Sequence, residues 1–323
     1  MSKKSISQAI NAALTEEMTR DGNIYLMGED IGLCAGCFGV TKGIIEKYGE
    51  DRVIETPIAE TGFCAMAVGS AVTGKRPVVE LMFADFVSLA FNPIVMEAAK
   101  LRYVSGGKAT VPIVFRAAQG AGGHFGLHHS NCVEGWLMNS PGLIVVSPST
   151  AADAKGLLKA AIRSDNPVVF LEHKMMYGVK GEVPEGDYII PLGKADVVKE
   201  GKDVTVIASQ LMRTYTEAAI KEVEKEGISV ELIDPRTILP FDIETFAASA
   251  KKTGRVIIVH EHPKTGGVGG EFAAAITEQC FAELKKPVKR VCGADISVGM
   301  GDVEPHIFPT AGSIADAIRD IVK

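Results

Sequence analysis

The loop at 117–131 (AAQGAGGHFGLHHSN) packs four glycines and three histidines into fifteen residues. Glycine frees the backbone for angles and close approaches that a side chain forbids, and imidazole titrates near neutrality, which suits a general acid or base. A metal cluster of His124, His128 and His129 is less well supported, since the loop holds no carboxylate and H-x-x-x-H-H is not a standard ligand spacing. A purely conformational loop is the plain alternative. Glu60 opens the stretch ETGFCAMAVGSAVTG just past Pro57-Ile58. A carboxylate there either complements a helix dipole or, among Ile58, Ala59 and Phe63, is desolvated so that its proton affinity rises. The two effects oppose one another, and local sequence does not choose between them. Met82, Phe83 and Phe86 in ELMFADF offer a flat, polarisable apolar wall, although core packing explains them equally well.

These groups need a scaffold that presents them together. Ile6, Ala9, Ile10, Ala13 and Leu14 share a helical face over 5–18, with Ser5 and Gln8 spaced as a capping box. A strand follows at Asn23–Gly28. Helices are then expected near 41–48, 60–74, 87–104, 132–139 and 150–164, alternating with strands at 77–81, 111–116, 143–146 and 167–171. The strands are short and apolar on both faces, as in a buried parallel sheet with right-handed crossovers. Ligands of such sheets bind at the carboxyl ends of the strands, which is where ELMFADF and the histidine loop lie. The small residues Gly62, Ala65, Ala67, Gly69, Ser70 and Ala71 cost helix propensity and favour close approach of a second helix, as at a subunit interface, over ordinary helix-on-sheet packing. Gly74 is expected to end that helix.

Glycines and prolines between 175 and 202 interrupt the rhythm. A second alternation follows, with strands at Val204–Ala208, Ser229–Ile233, Arg255–His260 and Val288–Cys292 and helices near 213–226, 242–251, 267–284 and 311–322. The expected organisation is α/β, two doubly wound domains at 1–185 and 203–323 joined by a linker at 186–202. A chain of 323 residues suffices for two cores. A net charge of −6 without a basic stripe argues against nucleic acid as partner. No apolar run reaches the ~18 residues of a membrane span, and no signal-peptide core follows Met1, so a soluble, cytoplasmic protein is expected. Its six cysteines are expected to be reduced thiols. Cys34 and Cys37 form a C-x-x-C without a second pair at metal spacing, and a glycine-flanked loop is the plain reading. No P-loop, G-x-S-x-G or H-E-x-x-H is present, and Gly266–Gly270 misses the dinucleotide-binding frame.

Met27-Gly28-Glu29-Asp30, Glu55-Thr56-Pro57-Ile58-Ala59-Glu60, Glu80–Phe86, His129-Ser130, Asp153–Leu158, Asp234-Pro235-Arg236-Thr237 and Lys264-Thr265-Gly266-Gly267 together carry a family likeness. Over essentially its whole length the chain resembles the beta subunits of 2-oxo acid and acetoin dehydrogenase complexes, thiamine diphosphate enzymes related to transketolase. The resemblance implies an N-terminal pyrimidine-binding domain and a smaller transketolase-like C-terminal domain. It implies that Glu60 hydrogen-bonds N1′ of the cofactor's aminopyrimidine and promotes the imino form that deprotonates the thiazolium. Phe86 then packs on the pyrimidine with Met82 beside it, and His129 is the acid/base that handles substrate oxygen and meets the lipoyl arm. This chain has His128-His129-Ser130-Asn131 where family members commonly have Gln-His-Ser-Gln, which places a second imidazole beside His129. The family also implies a structural potassium ion held mainly by carbonyls, here at Ile113, Ala161, Ile162, Ser164 and Asn166; Ser164 replaces a frequent acidic residue.

Thiamine enzymes hold the diphosphate through Mg²⁺ on a G-D-G motif. No Gly-Asp-Gly occurs in the sequence; Gly301-Asp302-Val303 is the nearest. The resemblance therefore implies an alpha subunit that carries Mg²⁺ and the diphosphate, in an α₂β₂ heterotetramer with shared sites, and a lipoyl-bearing acyltransferase as acyl acceptor. The segments 38–43, 80–83 and 107–112 resemble acetoin dehydrogenase beta chains, so acetoin is the expected substrate, cleaved to acetaldehyde and an acetyl group for lipoamide. Pyruvate or another 2-oxo acid is the alternative. A self-sufficient transketolase-like enzyme and a non-catalytic docking scaffold are the other readings.

Overall fold

The computed structural model describes residues 1–299 and 301–323, without the side chain of His262. The chain divides into two compact units, one of residues 1–120 with 136–192, the other of 121–135 with 193–323. The third crossing, at 192/193, falls inside the glycine- and proline-rich stretch. The short insertion 121–135, which carries the three histidines, has no counterpart among the sequence signals.

In the first unit the strands are β1 (Ser2–Ser5), β2 (Ile24–Gly28), β3 (Val53–Glu55), β4 (Arg76–Leu81), β5 (Val114–Gln119), β6 (Ile144–Val146), β7 (Val168–His173) and β8 (Lys180–Val183). Strands β2 to β7 form a parallel array in the order β6-β7-β5-β4-β2-β3, and β1 pairs antiparallel with β8. All residues of β2, β5 and β7 are buried, consistent with a sheet covered on both faces. The helices are α1 (Ile6–Arg20), α2 (Ile44–Tyr48), α3 (Glu60–Val72), α4 (Ala99–Val104), α5 (Glu134–Met138, at the junction of the units) and α6 (Ala151–Arg163). Helix α1 starts on the anticipated capping box: Gln8 N–H donates to Ser5 Oγ at 3.2 Å and Ser5 N–H to Gln8 Oε1 at 2.9 Å. Glu17, wholly buried, accepts from Arg20 and Arg163, both at 2.7 Å, which ties α1 to α6. Gly74 ends the α3 segment at φ 100°, outside the range of most side chains.

The expected helix at 87–104 is not continuous. A 3₁₀ turn (Ala84–Ser88) and a π turn (Asn92–Ala98) precede α4. Pro93 cannot donate to an α-helical ladder, which accounts for the break.

The second unit has strands β9 (Asp196–Lys199), β10 (Val204–Ala208), β11 (Val230–Asp234), β12 (Thr237–Leu239), β13 (Val256–Pro263) and β14 (Lys289–Gly293), and helices α7 (Gln210–Val223), α8 (Ile243–Thr253), α9 (Gly269–Cys280) and α10 (Ala311–Val322). Its sheet runs β14-β13-β10-β11-β9, parallel except for the antiparallel edge β9. Alternation sets the two faces. Val204, Val206, Ala208, Ile257 and Val259 pack with Met212, Ile220 and Val223 of α7 and Ile314 and Ile318 of α10. Thr205 points the other way and hydrogen-bonds Ser249 (2.6 Å) and Thr253 (2.8 Å) of α8. Both units are thus doubly wound. No helix among the described residues is long and apolar enough to cross a membrane.

Candidate active site

Parallel register brings three strand ends of the first unit into line. Gly28 lies opposite Glu55 on β3 and Glu80 on β4, so Glu29, Thr56 and Leu81-Met82 emerge side by side. Gly28 permits this close approach: a Cβ there would meet the Glu80 carbonyl oxygen at 2.7 Å. Thr56 N–H donates to the Gly28 carbonyl at 3.0 Å and aims the turn 56–59 across the strand ends into α3. Glu60 is the first residue of α3, and its side chain is buried rather than spread on the surface.

Glu29 is the residue that sequence reasoning left without a role. It is buried, and burial pushes its carboxyl up to about 7, with the nearby charges of Glu60 and Asp30 adding to the rise and a hydrogen bond from the Ala59 N–H opposing it. Among the described residues its Oε1 has no hydrogen-bond partner, and neither has the buried Oγ1 of Thr56. Buried polar atoms are rarely left this way. Two carboxyls close enough to repel, with one titrating near neutrality, can hold and exchange a proton. Cys64, one turn along α3, has its thiol raised by burial and by the same two carboxylates, which leaves it a neutral packing group.

The aromatic rings of ELMFADF pack on one another and on their neighbours. Phe83 packs edge-on to Phe86 (centroids 5.9 Å apart) and to Phe38 (5.8 Å), and Phe38 stacks on Tyr177 at 4.9 Å. Met82 and Phe86 are half-buried, leaving them surface for a ligand. Beneath lies a buried ionic network. Arg116 makes a two-pronged contact with Glu172, both bonds 2.7 Å, and donates to Glu80 at 2.6 Å, while Tyr177 O–H donates to Glu172 at 2.6 Å. Burial raises the Glu80 carboxyl against the opposing pull of Arg116. This network fixes the end of β4 from which Met82 and Phe86 continue.

His129 lies in the second unit, on the insertion 121–135, half-buried in a turn closed by its N–H to the Gly126 carbonyl at 3.4 Å. Asn131 Nδ2 donates to the Leu127 carbonyl at 2.9 Å. His128 is exposed, and His124 points away from a shared cluster, its Nδ1 being 3.0 Å from Glu304. Among the described residues no group of three or more His, Cys, Asp and Glu side chains is arranged to hold a metal. Cys34 and Cys37 are both exposed thiols.

Of the residues implied for potassium, Ile113, Ala161 and Ile162 are buried, and Ser164 and Asn166 are half-buried. The Ile162 and Ser164 carbonyls already accept from Arg76 at 3.0 and 2.6 Å, and the Ile113 carbonyl from Val168 N–H at 2.9 Å. A carbonyl keeps a second lone pair, so an ion there would share these oxygens with a guanidinium.

Comparison with known proteins follows the two units. Residues 2–180 match the family model of the transketolase pyrimidine binding domain, and residues 193–314 that of the transketolase C-terminal domain. The chain is 48% identical over 326 residues to the 2-oxoisovalerate dehydrogenase subunit beta of Bacillus subtilis (strain 168), covering all of both. It is 44% identical over 324 residues to the pyruvate dehydrogenase E1 component subunit beta of Porphyra purpurea, covering 100% of this chain and 98% of the relative. Among solved structures, one described as "Split gene transketolase, inactive beta4 tetramer" matches with a TM-score of 0.81 at 26% identity over 98% of each chain.

Proposed function

The chain belongs to the transketolase-like beta subunits of 2-oxo acid dehydrogenases, and from that premise we propose that it supplies the pyrimidine-binding half of a thiamine diphosphate site. The observation that carries this reading is the buried Glu60 beside Glu29, whose Oε1 lacks a partner. A buried carboxyl, an unsatisfied second acid and the half-buried Phe86 and Met82 fit an aminopyrimidine, which has both hydrogen-bonding edges and a flat face. When bound, thiamine diphosphate would supply a nucleophilic thiazolium carbon for chemistry at a substrate carbonyl. Glu60 holds the proton at the pyrimidine N1′, and Glu29 keeps that proton local by opposing a second charge on the pair. Phe86 and Met82 orient the ring and exclude water. His129 exchanges a proton with substrate oxygen and receives the lipoyl arm.

An alpha subunit is assigned the Mg²⁺ and diphosphate, because this chain contains no Gly-Asp-Gly. The outer face of α3 suits close subunit packing. Gly62, Ala65, Met66, Gly69 and Val72 are exposed, with Leu89 and Met96 also exposed nearby in sequence. A Cβ on Gly69 would have nothing within 4 Å, so nothing in this chain requires a glycine there. We assign the face to subunit contact in an α₂β₂ assembly, with a lipoyl-bearing acyltransferase as acceptor, a cytoplasmic location, and a potassium ion sharing the carbonyls at 113 and 161–166.

The substrate is assigned as a short 2-oxo acid, the class named for both relatives, decarboxylated with transfer of the acyl group to lipoamide. Acetoin is the second reading, favoured by the segments 38–43, 80–83 and 107–112. Reconstitution with the alpha subunit, thiamine diphosphate and Mg²⁺ tests both, by comparing pyruvate, 2-oxoisovalerate and acetoin as reductants of an artificial electron acceptor. Preference for acetoin overturns the first assignment, and full activity of this chain alone overturns the shared site.

A further inference from the structure

Glu304 sits in a 3₁₀ turn (Gly301–His306) of the second unit and is 4% exposed. Its partners converge from one short span of the histidine insertion. Oε1 accepts the Gly122 N–H at 2.6 Å, Oε2 accepts the His124 N–H at 3.1 Å, and His124 Nδ1 lies 3.0 Å from Oε2. Beside it, Glu261 in the last half of β13 accepts the Ala121 N–H at 2.5 Å. The span gripped in this way is one that would otherwise be loose or strained. Gly122, Gly123 and His124 all have positive φ (97°, 80° and 60°), and His124 is not a glycine, so its backbone conformation needs outside support. Packing agrees with the hydrogen bonds: Ala121 is buried with Val298, Ile307 and Phe308 of the same unit.

From these observations we propose that Glu304 is the positioning residue for His129. Its carboxylate, aided by Glu261, clamps the entrance of the insertion at 121–124, so that the turn 126–131 presents the imidazole in one place. At the exit Ser130, Cys132 and Val133 are buried. With the entrance clamped, the flexible glycine stem becomes a fixed arm. The role rests on the reading of His129 as the acid/base, and Glu304 takes no part in the cofactor binding proposed for the first unit.

The test uses the holoenzyme reconstituted with its alpha subunit, thiamine diphosphate and Mg²⁺. Glu304→Gln keeps the shape but cannot accept from both backbone N–H groups with a full charge. Its kcat for lipoyl-dependent turnover should fall on the order of ten- to a hundred-fold, the scale of a misplaced catalytic group, while KM for the 2-oxo acid stays near the parent value. His129→Ala should lower the same kcat, and the double variant should fall no further than His129→Ala alone. Hydrogen exchange of the amides at 119–131 should accelerate in Glu304→Gln. If Glu304→Gln fails to assemble, His124→Ala removes only the exposed end of the clamp, and its smaller drop in kcat should again vanish in the His129→Ala background. Additive losses, or unchanged kcat and exchange, overturn the positioning role. An impaired His129→Ala beside a normal Glu304→Gln leaves the His129 reading standing, whereas a fully active His129→Ala overturns that reading and this role together.

Discussion

The two units build the same kind of sheet and place acids at the same kind of strand end, yet those acids are treated differently. In the second unit Asp234 closes β11 and is fully engaged at both oxygens: Arg213 donates at 3.0 Å and the Arg236 N–H at 2.9 Å. Glu261, in the last half of β13, takes the Ala121 N–H at 2.5 Å. In the first unit Glu29 closes β2 with one oxygen bare and its carboxyl pushed up to about 7 beside Glu60. Shared topology therefore fixes where an acid stands but not what it does. An acid satisfied inside its own unit holds the fold together, and an acid left short of partners is available for chemistry.

Substitution at matched strand ends breaks or sharpens this contrast. Glu60→Gln in the reconstituted holoenzyme should reduce kcat on the order of 10²–10⁴-fold, the usual contribution of a positioned acid–base group. Asp234→Asn should instead leave kcat near the parent value and lower stability by about 1–3 kcal/mol, because a buried guanidinium contact loses its charge. Steady-state kinetics and urea unfolding on both variants give the answer. A kcat loss in Asp234→Asn matching that of Glu60→Gln would dissolve the distinction between the two ends.

How much of this is legible in sequence depends on how far the deciding partner lies along the chain. The capping box at Ser5 and Gln8 and the strands expected at Val204–Ala208 and Ser229–Ile233 are local signals; the strands stand at Val204–Ala208 and, shifted by one residue, Val230–Asp234. The helix expected at 87–104 misled because its apolar pattern persists through Pro93, whereas the backbone turns through a π segment. The edge strands β3 and β9 are three and four residues long and half-exposed, too short for periodicity to show. Glu60 stood out through its motif. Glu29 belonged to a quoted motif too, but its raised proton affinity depends on a carboxylate brought close by β2–β3 register and the turn into α3. The grip of Glu304 on Gly122 spans 182 positions, beyond any pattern visible in the loop itself.

Glu29 also carries a pH signature. The Glu29 carboxyl is raised from an ordinary 4.5 to about 7 in the folded chain. Between those values the folded state binds more protons than the unfolded state, so this group's stability contribution is lost as pH rises through that window, and the full penalty remains above it. Glu29→Gln cannot ionise. It should match the parent near pH 4 and exceed it on the order of 1–3 kcal/mol at pH 8, measured by urea unfolding of the isolated chain. A difference independent of pH would mean that the Glu29 carboxyl is not raised in the folded chain.

The smallest expected effect separates what this chain needs from what its assembly needs. Gly69 sits mid-helix in α3, on the exposed face, with open space where a Cβ would go. Within the chain alone the glycine only weakens the helix, so Gly69→Ala should stabilise the isolated protein by about 0.5–1 kcal/mol. If the face is closely covered by another subunit, the added methyl has no room there, and the same substitution should weaken association with the alpha subunit. Opposite signs from unfolding and sedimentation would place the reason for Gly69 in the partner. Equal association of variant and parent would remove α3 from the interface.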